Sequence, residues 1–108
     1  MKIEKIDGRQ FKILLEAERE FIAIFSTQWC GFCRTLTSEL SKSDFALKTV
    51  EVDISDEDDC MWDDFGISTV PTAILFREGK EVARKPPTYD GLRGKDIKVL
   101  AEKSRAWL

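Results

Sequence analysis

Histidine is absent from this chain of 108 residues. Its absence removes the commonest transition-metal ligand and the commonest general base. Cysteine is sparse and odd in number, at Cys30, Cys33 and Cys60, which excludes a small secreted scaffold stapled by paired bridges. Three thiols also fall short of the four ligands a structural zinc site wants, so no metal is expected. The acidic run Asp56–Asp59 lacks the central glycine and spaced oxygens of a calcium loop. No apolar stretch nears the ~20 residues needed to cross a bilayer, so no membrane is expected. A net charge of −3 with no clustered basic face argues against a nucleic-acid partner. The start, Met1-Lys2-Ile3-Glu4-Lys5-Ile6, mixes charges and does not read as a secretory signal. The expected location is therefore cytoplasmic. No repeat, linker or low-complexity block interrupts the chain, and its length suits one compact core. Residues 1–108 are read as a single domain, and as a monomer.

What is present alternates in type. Residues 2–6 make a short strand candidate. Asp7 precedes an amphipathic stretch with Phe11, Leu14, Leu15 and Glu18 at helical spacing. Phe21 to Phe25 is an unbroken apolar run, as a central strand covered on both faces requires. Phe32, Leu36 and Leu40 recur every four residues and predict one apolar face of a helix from about Gly31 to Lys42. Leu47 to Ile54 is a valine-rich strand candidate. Asp56 is a plausible cap for a short helix through Phe65, which Gly66 stops. Ala73 to Phe76 reads as a strand, residues 77–80 as a turn, and Glu81 to Lys85 as its hairpin partner, ended by Pro86-Pro87. A last helix is predicted from about Lys95 to Trp107, with Ile97, Leu100, Ser104 and Trp107 inward. The order is βαβαβαββα. It implies an α/β mixed central sheet with helices on both faces, parallel in its first half and antiparallel at its hairpin.

Against this background the informative residues are Trp29-Cys30-Gly31-Phe32-Cys33, directly after the apolar strand. Two thiols three residues apart at the start of a helix can work as one two-electron unit that makes and breaks disulfides. Helix N–H groups aimed at Cys30 would favour its anion, the form that attacks.

The element order, the Trp29–Cys33 motif and Val70-Pro71-Thr72 before the fourth strand together resemble the thioredoxin family, over nearly the whole chain. The Phe76-Arg77-Glu78-Gly79-Lys80 turn is a weaker match. The resemblance implies a thioredoxin fold and protein thiol–disulfide exchange, most simply the reduction of protein disulfides. It implies Cys30 as the attacking thiol and Cys33 as the resolving one. Pro71 would be a cis proline beside the disulfide. Val70 would offer backbone groups to an extended substrate segment. Trp29 would supply a flat apolar wall, with Gly31 and Phe32 completing the contact surface. Partners would be disulfide-containing proteins and an external reductase or small thiol. No flavin or nicotinamide motif is present, and no cofactor is expected.

The chain departs from the family pattern in several places. Ile24 stands where thioredoxins carry a buried aspartate, and the lysine that usually faces it falls at about Thr49. Without that carboxylate, water or a substrate group must take the proton of Cys33, and resolution is expected to be slow. Gly-Phe replaces the usual Gly-Pro between the thiols, which predicts a more oxidising couple. Ser38 replaces a proline that kinks the following helix. Two rivals remain open at this point: a glutaredoxin-like enzyme using glutathione, and a thioredoxin-fold binding module that barely turns over. Cys60 is expected to be a small buried or half-buried side chain in the third helix, with a regulatory thiol as the alternative. Residues 89–94 form a glycine-punctuated loop that could border the substrate groove.

Overall fold

In the computed structural model, residues 3–43, 47–89 and 91–105 are described. They form β1 (Glu4–Ile6), α1 (Gly8–Ala17), β2 (Glu20–Ser26), α2 (Gly31–Ser41), β3 (Thr49–Asp53), α3 (Met61–Asp64), β4 (Thr72–Arg77), β5 (Lys80–Lys85) and α4 (Gly94–Arg105). The five strands lie in the order β1-β3-β2-β4-β5. β3 runs parallel to β1 and β2, while β4 is antiparallel to β2 and to β5. The mixed sheet expected from the alternation is therefore the sheet observed.

β2 is central, and its apolar run is unbroken because both its faces are covered. Phe21, Ala23 and Phe25 join one buried cluster, and Ile22 and Ile24 join the other. The first cluster is built around Phe11 of α1. Its ring sits 5.2–6.1 Å from the rings of Phe21, Phe25, Phe65 and Phe76, edge-on to each, the arrangement aromatic quadrupoles favour. The second cluster packs Leu36 and Leu40 of α2 and Ile97, Leu100 and Ala101 of α4 against Ile22, Ile24, Ala73 and Leu75. Ser104 is buried on the same face of α4, whereas Trp107 lies outside the described residues.

Local chemistry sets the ends. Asp7 caps α1 through a reciprocal pair: Gln10 N–H donates to the Asp7 carboxylate, and Asp7 N–H donates to the Gln10 side chain. Glu78 and Gly79 both adopt positive φ, +54° and +75°, as a two-residue turn between twisted antiparallel strands demands. Gly66 (φ +60°) ends the α3 segment as expected. The acidic segment differs from the sequence reading. Asp56 does not cap α3: its side chain accepts from Asp58 N–H in a turn of its own. Asp59 instead accepts from Met61 N–H, so the helix shrinks to Met61–Asp64. Aspartates in series compete for the backbone and favour turns over a longer helix.

Candidate functional site

The site begins where β2 ends. Ser26 C=O accepts from Ile54 N–H, and Gln28 N–H donates to the Ser55 hydroxyl, which ties the residue 27–30 turn to the end of β3. Ser55 is itself held by Asp53. Burial pushes the Asp53 carboxyl up, but hydrogen bonds from Ser55 and Gln28 outweigh it and leave the pKa below its ordinary value. Arg34 adds a second clamp by donating to Gln28 C=O at 3.1 Å. Its guanidinium is thus bound to the turn.

Cys30 occupies the N-cap of α2 with extended backbone (φ −87°, ψ 110°), and its sulfur accepts from Cys33 N–H at 3.1 Å. The sulfur therefore sits where Ser or Asp oxygens ordinarily cap helices, facing the partial positive charge of the helix start. Cys30 and Cys33 are joined as a disulfide, with Cα atoms 5.2 Å apart. Cys33 is 3% exposed and Cys30 9%, so a narrow sliver of Cys30 faces outward. On the far side the Cys30 sulfur lies 3.8 Å from the Val70 carbonyl oxygen. The Val70–Pro71 peptide is cis, as the resemblance implies, and Pro71 is buried while Val70 is half-buried.

Trp29 and Phe32 flank the sulfurs and are 60% and 51% exposed. Phe32 was a candidate for the apolar face of α2, but only Leu36 and Leu40 of that series are buried. The ring of Phe32 rests instead on Gly91. Part of the residue 89–94 loop thereby adjoins the helix start, and Tyr89 beside it is almost fully exposed. The loop is anchored farther along: Glu39 of α2 takes bonds from the Arg93 side chain and from Gly94 N–H. The Arg93 guanidinium and this N–H hold the Glu39 carboxyl down at about 2, from an ordinary 4.5.

Two expectations need correction. The residue facing Ile24 is Glu51, because β3 enters the sheet with Thr49 opposite Ile22 and parallel pairing then advances residue for residue. Cys60 is exposed, not buried. It precedes α3, with its sulfur 4.0 Å from the Lys12 ammonium. Sequence reasoning also overlooked Glu51, Thr27 and Thr37. A signal for the first was available: a lone charge between Val50 and Val52, both buried on the opposite face.

The sequence pattern of the family described as Thioredoxin matches residues 2–102. This chain belongs to the thioredoxin family. It is 40% identical over 83 residues to the thioredoxin of Chlamydia muridarum, covering 72% of this chain and 76% of that protein. With the thioredoxin of Chlamydia caviae it shares 36% identity over 74 residues, covering 67% and 69%. Thioredoxin f2 of Chlamydomonas reinhardtii has the same fold, with TM-score 0.79 at 22% identity over 94% of this chain and 95% of that one. Thioredoxin folding around a Cys-x-x-Cys pair makes the protein a thiol–disulfide oxidoreductase. Thioredoxin chemistry brings disulfide-bearing substrates and a reductase as partners in general terms. Among the described residues, no helix is long and apolar enough to cross a membrane.

Proposed function

We propose that the chain, acting as one domain over residues 1–108 and as a cytoplasmic monomer, reduces protein disulfides with Cys30 as nucleophile and Cys33 as resolving thiol. The placement of the Cys30 sulfur carries this reading. It is the cap of α2, and Cys30 is the more accessible of the two residues, 9% exposed against 3% for Cys33. A thiolate there is stabilised by the N–H groups of the first turn, and only a thiolate attacks a disulfide. An extended substrate segment would lie across Gly31, between Trp29 and Phe32, and bond to the backbone at Val70 beside Pro71.

The cycle balances without a cofactor. Cys30 thiolate attacks a substrate sulfur and releases the other substrate sulfur as a thiolate. Cys33 then displaces the remaining substrate sulfur and closes Cys30–Cys33. An external dithiol or reductase returns two electrons. The Cys33→Ser variant tests this assignment: it should accumulate covalent protein partners through Cys30, and the further change Cys30→Ser should abolish them. A Cys33→Ser protein that traps none favours a docking module. Insulin reduction coupled to a thioredoxin reductase should exceed reduction coupled to glutathione. The opposite order would favour the glutaredoxin-like rival.

A further inference from the structure

A cleft of about 360 Å³ reaches Cys33 of the disulfide. Its lining includes Lys5 of β1, Thr27, Cys33, Arg34, Thr37 and Glu51 of β3. Lys5, Glu51 and Ile24 are paired positions in one row across the sheet, beneath α2. The Glu51 carboxylate accepts from the Ser26 hydroxyl at 2.8 Å, and Thr37 Oγ1 reaches both Glu51 (3.4 Å) and the Cys33 carbonyl (3.0 Å). Thr37 therefore spans the distance between the carboxylate and the backbone of the resolving cysteine. Among the described residues, Thr27 Oγ1 is a buried side-chain oxygen with no hydrogen-bond partner, and it lines this same cleft. A buried hydroxyl left without a partner is unfavourable. It is the kind of group that an ordered water, needing two to four polar partners, satisfies.

We propose that Glu51 is the proton acceptor for Cys33, acting through water held in this cleft by Thr27 and Thr37. The inference rests on Cys33 being the resolving thiol. When Cys33 attacks the mixed disulfide, its S–H proton passes through the water to the Glu51 carboxylate. The Cys33 sulfur bonds to Cys30, and the substrate sulfur leaves with its electron pair as a thiolate. The proton on Glu51 then goes to solvent or to that thiolate. Ile24 thus leaves the chain with a carboxylate on the neighbouring strand, and resolution needs no base from the substrate. The charges facing Glu51 are Lys5 from β1 and Arg34 from α2, with Asp53 two residues farther along β3.

The test follows reduced protein carrying Cys60→Ser as it reacts with 5,5′-dithiobis(2-nitrobenzoate) in a stopped-flow instrument. The first released thiolate reports attack by Cys30, and the second reports resolution by Cys33. Glu51→Gln should leave the first phase unchanged and slow the second by about a hundredfold near neutral pH. The defect should shrink in alkali, where hydroxide competes for the thiol proton and the carboxylate is no longer needed. Glu51→Asp should recover part of the rate. An unchanged second phase overturns the proposal. So does a defect that persists undiminished in alkali, which would mark Glu51 as merely structural. Failure of the underlying reading looks different: Cys33→Ser would then still release the second thiolate as fast as the parent.

Discussion

The ring of Phe32 lies on Gly91 so closely that a Cβ built at position 91 would come within 2.7 Å of it. Gly91 also holds φ at +82°, where side chains other than glycine's are strained. Gly91→Ala should therefore destabilise the protein by about 1–3 kcal/mol, measured by urea unfolding. It should also push Phe32 off its seat. Steady-state reduction of a protein disulfide should show the change mainly in KM, because the two sulfurs keep their helix.

Glu39 joins the active-site helix to the start of α4, and its carboxyl is depressed from 4.5 to about 2 by Arg93 and the Gly94 N–H. A carboxyl depressed in the folded state contributes stability above its unfolded pKa and loses it as pH falls through the folded one. The contribution should thus be full above about pH 5 and fade between about pH 4.5 and 2. Glu39→Gln should flatten that part of a plot of unfolding free energy against pH. Partial exposure of both partners keeps the effect modest.

Phe11 is fully buried among four other phenylalanine rings. Phe11→Ala should cost about 3–5 kcal/mol in chemical denaturation. Ile13, two residues on and 62% exposed, is the control. Ile13→Ala should fall within about 0.5 kcal/mol of the parent.

In the oxidised native protein, Cys60 alone remains as a free thiol among the described residues, and it is exposed. One thiol per chain should react with an alkylating reagent before reduction. Two more should appear after it, and peptide mapping should assign the first to Cys60.

Phe32 stands between the cysteines where the family usually has proline. Without the fixed φ of proline, the open dithiol keeps freedom that closing the ring must remove, and this favours the dithiol. The couple should be more oxidising than the about −270 mV of a typical thioredoxin. A glutathione-buffer titration measures it.

Much of this architecture was legible in the chain. β2 declared itself by an apolar run too dense for a one-sided strand, and the site by two thiols at a strand-to-helix junction. Glu78 and Gly79 marked the hairpin through turn chemistry. What escaped was set by tertiary register or by competing local bonds. The partner of Ile24 depended on where β3 enters the sheet, which spacing within either strand does not encode. Phe32 kept helical periodicity with Leu36 yet lies on a loop nearly sixty positions away, a tertiary contact that spacing within α2 does not encode. The aspartates after β3 satisfied turns and not a helix, a contest among near-equal hydrogen bonds that composition does not settle.

The group that finishes the first turn of α2 is a sulfur of the disulfide. Every change in its bonding partner alters what the opening coil of that helix rests upon. Electron inventory and conformational free energy are therefore entries in one thermodynamic cycle: whichever state anchors the helix better is, by the same amount, harder to convert.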